Sequence, residues 1–436
     1  MQLIARAAVA LTCLALLSTL SAASAADEPT TSVALSAGGA KADIPIALPI
    51  PKGGSATDEF YTTLKRDLEI SGWFRVIDAA AYTEAPGTGI RLGEFDFAAW
   101  RTPGAAALAK TEVQSTATGR RAEVWVYDVA GGVKLGAKAF SGPTTAQRTL
   151  AHRTADTIIR LITNQPSFFD TRIAYVAAVS GNKEVHVMDV DGGGKRQITS
   201  NKSINLSPRW NRVGSALCFT SYVNGNPDLY VADLAKSAIR RISARTGINT
   251  GCAWAPEGDS IALTLSPGSD SDIFTIDPVA GTQIAQITSS PGIDVSPSWS
   301  PDGSKIAFVS ERGGGAQIYV MNSDGGSARR VSFQGSQNTS PSWSPKGDKI
   351  AFVGRDGAFD VFTVNVDGSG MRRVTQGMGD NEDPSWSPEG DFLTFSSTRT
   401  GSAHIWLASV DGRHQVQLST GAGGYTNPHW SGHLSW

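Results

Sequence analysis

Beyond residue 171 the apolar positions come in short runs, and the runs recur. One set reads ALCFTS, IALTL, IAFVS, IAFVG and FLTFSS. A second reads DLYVADL, DIFTIDP, QIYVMNS, DVFTVNV and HIWLASV, and a third IRRIS, IAQIT, ARRVS, RRVT and VQLS. Runs of β-branched and aromatic residues bounded by turn sequences predict strands in sheets covered on both faces.

A tryptophan keeps the period. Trp210, Trp254, Trp299, Trp343, Trp386 and Trp430 are separated by 44, 45, 44, 43 and 44 residues. Proline stands two residues before the tryptophan in five of the six copies, and glycine four residues after it in five of six. Pro301-Asp302-Gly303, Pro345-Lys346-Gly347 and Pro388-Glu389-Gly390 are tight turns, with proline presetting one position and glycine taking the one other residues resist. With the tryptophan segment, each period holds four predicted strands, the content of one propeller blade.

The ends of the array predict how the ring closes. A copy without its tryptophan strand precedes Trp210 (RIAYVAA, EVHVMDV, RQITS), and a tryptophan strand without the other three ends the chain. Pairing Asn427–Trp436 beside residues 172–199 completes a sixth blade and removes the exposed sheet edges. The expected fold is mostly β: an N-terminal α/β domain, then a six-bladed β-propeller closed by its first and last segments.

Residues 42–165 do not share the period. IPIALPI and FRVID read as strands, and Asp58–Ile70 reads as a helix with Phe60, Leu64 and Leu68 on one face. RAEVWVYDV and GVKLGAKAF form a predicted hairpin through Gly131-Gly132, and Thr145–Thr163 a helix burying Ala151, Ala155, Ile158, Ile159 and Ile162. The expected division is a leader at 1–25, a mature N-terminal segment at 26–41, an α/β domain at 42–165, a junction at 166–171 and the propeller at 172–436.

The leader is read from Arg6, the apolar run from Ala7 to Leu20 and the small residues Ala23-Ser24-Ala25. Its apolar run is shorter than the roughly 20 residues that span a bilayer, and no later segment qualifies, so no membrane insertion is expected. Cleavage removes one cation and leaves 37 basic against 40 acidic side chains. That balance gives no electrostatic reason to expect nucleic acid or an anionic membrane surface as partner. Cys218 and Cys252 remain after Cys13 departs, too few for a disulfide framework or thiolate metal site. One disulfide between them and two buried small hydrophobes both stay open.

No G-x-S-x-G elbow, H-E-x-x-H or phosphate-binding glycine loop is present, so no catalytic residue is assigned. His152, His186, His404, His414, His429 and His433 form no metal-ligand spacing, and Asp191-Gly192, Asp324-Gly325, Asp367-Gly368 and Asp411-Gly412 read as hairpin turns rather than calcium loops. Neither metal nor cofactor is expected. Five residues before each tryptophan stand Asn205, Asn249, Asp294, Asn338, Asn381 and Tyr425. Either each organises its own turn, or the six form a polar collar around the channel that binds something.

PSWSPDGSKIAFVS, QIYVMNSDGG, FQGSQNTSPSWSPKGDK and the junction phrase TRIAYV, placed after an exported α/β domain, together resemble the TolB family of the Tol-Pal system of Gram-negative bacteria. The resemblance implies a non-enzymatic, periplasmic, monomeric protein whose channel mouth receives the lipoprotein Pal and whose mature N-terminal segment is recognised by TolA. It also implies a role in keeping the outer membrane attached and constricting at division, with some colicins exploiting the same surfaces. Carried over, the Pal-facing residues are Asn205, Asn249, Thr250, Asp294, Val295, Asn338, Thr339, Asn381 and Tyr425, and the TolA-facing ones Thr31, Ser32, Val33, Ala34 and Leu35. GCAWAPEG and HWSGHLSW depart from the repeat and alter local turns. The competing expectation is an exported propeller enzyme or carbohydrate-binding module with a ligand in the channel.

Overall fold

A computed structural model describes residues 43–179, 181–422 and 424–434. The expected leader, the segment 26–41 with Thr31 to Leu35, and the last two residues lie outside the described residues.

The N-terminal sheet runs in the order β2-β1-β3-β4-β5, with β1 at Ile44–Ala47, β2 at Phe74–Val76, β3 at Ala107–Thr116, β4 at Gly119–Asp128 and β5 at Val133–Gly142. Strand β1 is parallel to β2 and β3, while β3, β4 and β5 are antiparallel. Helix α1 (Glu59–Ile70) and the long helix that follows β5, Gln147–Thr163, cover the sheet with Phe60, Leu64, Leu68, Ala151, Ile158 and Ile159. Strand β3 escapes the sequence pattern because ALAKTEVQST contains residues that disfavour strands in isolation. Its pairing on both sides supplies what propensity lacks.

Six four-stranded antiparallel sheets follow. In the closing blade the strand Gly424–Trp430 lies beside β6 (Arg172–Val179), then β7 (Asn182–Asp189) and β8 (Arg196–Gln197), with Tyr425 opposite Ala177 and Trp430 opposite Ile173. The ring therefore closes as the repeat count predicts.

Each inner strand is bulged at the same place. The residue three before the tryptophan has positive φ in all six: Ser207 (52°), Gly251 (63°), Ser296 (56°), Ser340 (50°), Asp383 (56°) and Asn427 (51°). The pairing register shifts across these positions. The next residue is the repeat proline, which has no N–H to offer a ladder and fits where pairing is interrupted. Only the blade that lacks the proline has glycine at the bulge, and there Cys252 takes the proline's place. Cys252 is disulfide-bonded to Cys218 of the preceding blade, with Cα atoms 6.4 Å apart, which settles the alternative left open by the sequence.

The tryptophans join neighbouring blades. The indole of Trp254 donates to Arg209 O at 3.2 Å, Trp299 to Ala253 O at 3.2 Å and Trp386 to Ser342 O at 2.9 Å. The α/β domain joins the ring through charge and aromatic packing. Arg148 on the long helix bonds Asp189 and Asp191, buried His152, held within the domain by Asp67 at 2.8 Å, lies 3.6 Å from Asp189, and Phe168 packs edge-on against Phe392 and Trp430.

Candidate functional site

Every blade alternates its strands in the same way, so all six inner strands start on one face of the ring. The residues five before the tryptophans gather there, but not as an open collar. Asn205, Asn249, Asn338 and Asn381 are 0% exposed and Asp294 1%. Asn249 Oδ1 accepts from Arg245 N and Ser243 Oγ while its Nδ2 donates to Arg245 O. Asn381 Nδ2 donates to Asp360 and Gly379 O, and Asp294 accepts from Ser290 Oγ and Arg312. These five side chains hold the turns between blades, one of the two roles the sequence left open, and at 0–1% exposure they offer little surface of their own. Tyr425 stays half-buried, its hydroxyl donating to Thr420 O. Thr250, Val295 and Thr339 are half-buried too.

A second ruler supports this network. Glu184, Asp228, Asp272, Gln317, Asp360 and His404 lie within the first three residues of the third strands at intervals of 44, 44, 45, 43 and 44 residues, and all are 8% exposed or less. Glu184, Gln317 and Asp360 accept from Asn205, Asn338 and Asn381 of the next blade. In the closing blade the His404 and Tyr425 rings, 5.5 Å apart, replace this pair. The spacing was present in the sequence, but a buried acid looks like a solvated one until its neighbour is known.

What the starting face does show to solvent was missed by the sequence reading. Ile204, Ile248 and Ile293, one position earlier, are 43, 38 and 42% exposed, and Val223 in the first of these blades is 41% exposed. Each isoleucine carbonyl accepts from its own blade's next loop, at Tyr222, Ser266 and Glu311, which fixes the edge while the side chain stays out. Three consecutive blades thus carry an apolar arc around the channel rim. The corresponding positions in the next two are Gln337 and Asp380. Exposed apolar side chains repeated at one position of neighbouring blades offer a partner apolar surface.

At the opposite end the channel widens into a cavity of about 900 Å³ lined by the tryptophan ends of the inner strands. Metal chemistry finds little support in the described residues: His152, Asp189 and Asp191 converge, but the Arg148 guanidinium already bonds both carboxylates. No described helix is long and apolar enough to cross a membrane.

Comparison with known proteins accords with this architecture. The chain matches the family described as TolB amino-terminal domain over residues 33–135, and that described as TolB beta propeller domain over 159–434. A Tol-Pal system protein TolB of Anaeromyxobacter dehalogenans is 37% identical over 182 residues, 41% of this chain and 42% of that protein. The Geobacter metallireducens protein of the same name is 40% identical over 185 residues, 42% of this chain and 43% of that one. The chain thus matches less than half the length of these relatives. The crystal structure of TolB from Acinetobacter baumannii superposes with a TM-score of 0.79 at 25% identity, covering 89% of this chain and 96% of that one.

Proposed function

The chain belongs to the TolB family, and from that membership we propose that it acts in the periplasm as a non-enzymatic docking protein of the Tol-Pal system. In this reading it links Pal to TolA and so supports outer-membrane attachment and constriction. The Pal-type partner docks on the face where the inner strands begin. The observation that carries this placement is the exposed arc of Ile204, Ile248 and Ile293, beside half-buried Thr250, Val295, Thr339 and Tyr425. Asn205, Asn249, Asp294, Asn338 and Asn381 serve the interface by fixing the loops that present these side chains. Thr31 to Leu35, outside the described residues, remain the proposed TolA-facing segment.

The decisive experiment is a calorimetric titration of the mature protein with the soluble Pal domain of the same organism. Saturable one-to-one binding is expected. Absence of binding at high micromolar concentration would sink the docking reading.

A further inference from the structure

The wide end of the channel differs in chemistry from the docking face. The position just before each repeat tryptophan faces this cavity, and the six residues are Arg209, Ala253, Ser298, Ser342, Ser385 and His429. Three of these side chains are committed to the scaffold. Ser298 Oγ accepts from Trp343 N at 3.0 Å, Ser385 Oγ from Trp430 N at 2.9 Å, and His429 Nδ1 from Trp210 N at 3.1 Å.

The histidine bond fixes a tautomer. A ring whose Nδ1 accepts carries its proton on Nε2 when neutral, and burial together with the nearby Arg209 charge keeps His429 neutral. Its Nε2–H has no protein acceptor among the described residues, and neither does the Ser342 hydroxyl. Arg209 lines the cavity and spends one side-chain bond, Nη1 to Pro208 O at 3.1 Å, while burial works against its charge and the Asp383 carboxylate favours it. The cavity wall holds Arg209 and Arg212 against a single carboxylate, Asp383. That carboxylate accepts from Asn427 Nδ2 at 2.7 Å and Ser340 Oγ at 3.4 Å. His433, on the rim, already bridges Asp170 and Glu389.

We propose that this end of the channel is a binding site for a small oxyanion, a carboxylate- or phosphate-bearing solute gripped by the Arg209 guanidinium with His429 Nε2–H and the Ser342 hydroxyl as further donors. The guanidinium fork matches two oxygens of such a group, and the cavity falls within the size range of small-ligand sites. Neutral His429 and the serine add donors without a competing acceptor charge. The site is separate from the docking face and does not depend on the docking reading.

The repeat tryptophans line the cavity and report on it. Intrinsic fluorescence and calorimetry of the full mature protein, titrated with citrate and separately with inorganic phosphate at constant ionic strength, test the site. Saturable binding of at least one probe is expected, weakened at least tenfold in Arg209→Gln and partly retained in Arg209→Lys. The two probes distinguish carboxylate from phosphate as the preferred group. Circular dichroism melts establish that each variant is folded. Should Arg209→Gln fail to fold, the comparison of Arg209→Lys with wild type carries the test, because it keeps the charge and loses the fork. Linear, non-saturating responses to both probes in the wild type, or equal affinity in a folded Arg209 variant, would overturn the proposal.

Discussion

Trp430 donates its indole N–H to Thr171 Oγ1 at 2.7 Å, across 259 residues of sequence. The bond lies beside Phe168, whose ring stands edge-on to the same indole 5.4 Å away. The last strand thereby holds the ring shut and the domain junction in place at once. Deleting Asn427–Trp436 opens two blade edges and uncovers Phe168, so the product is expected to aggregate or to lack a cooperative melt. A soluble truncation with a single sharp transition would contradict this assignment. Trp430→Ala alone is expected to cost about 3–5 kcal/mol in chemical denaturation.

The Cys218–Cys252 bridge spans 34 residues and ties adjacent blades. Closing a loop of that length stabilises by roughly 3–4 kcal/mol on the chain-entropy argument. Titration of unfolded, unreduced protein should find no free thiol, and dithiothreitol should lower the unfolding free energy by that amount. Two free thiols would remove the bridge from the account.

The bulges predict opposite effects for opposite substitutions. Gly251 sits at φ 63° with its nearest obstacle 3.4 Å from an added Cβ, so Gly251→Ala is strained by the backbone rather than by a clash. A loss of about 1–2 kcal/mol is expected. Ser340, at φ 50° in the equivalent place, is expected to gain up to about 1 kcal/mol on replacement by glycine, less the entropy glycine adds to the unfolded chain and the loss of the long Oγ bond to Asp383. Urea denaturation of both variants decides it; equal signs would show that the bulge conformation is not what limits them.

Stability should also carry a pH signature at the domain contact. Burial works against the charged His152 ring, but the Asp67 carboxylate and the bond to Asp189 prevail and raise it from 6.5 to about 10. Asp67 is pushed up to about 7 by burial, opposed by His152. Asp189 is held below its ordinary 3.8 because its bonds to His152 and Arg148 outweigh burial. A raised histidine contributes stability that is complete below its unfolded value and lost as pH climbs through the folded one. The Asp67 contribution also falls as pH rises through 7, while that of Asp189 disappears only in acid. Unfolding free energy should therefore drop from pH 6 to pH 10, and His152→Gln should flatten the slope and cost on the order of 3 kcal/mol at pH 6. An unchanged slope would exclude His152 as its source.

On the docking face, exposed and buried positions separate cleanly. Ile248→Ser with Ile293→Ser is expected to leave the melting temperature within a few degrees and weaken Pal binding at least tenfold, as central apolar contacts do. Asn249→Ala should instead destabilise by about 1–3 kcal/mol, because it leaves Arg245 and Ser243 donors unpaired in a buried turn. Undiminished affinity in the isoleucine variant would take the arc out of the interface.

The architecture was legible in the chain because a propeller is periodic. Six tryptophans at near-constant spacing, with proline before and glycine after, specify the blades, and two incomplete copies at the ends specify the closure. Helix patterning likewise marked Phe60, Leu64 and Leu68, which the structure buries. Three things were decided only in three dimensions. Strand β3 forms from residues with poor strand propensity because partners on both sides complete its hydrogen bonds. Cys218 and Cys252 meet because adjacent blades bring different strands together, a pairing no spacing fixes. Above all, a one-residue step along each inner strand decides whether a side chain is interior or surface. The polar residues five before the tryptophan turn inward to satisfy buried turns, and the isoleucines six before it turn out. Sequence period determines which positions are equivalent; only packing against the neighbouring blade determines which of them meet water.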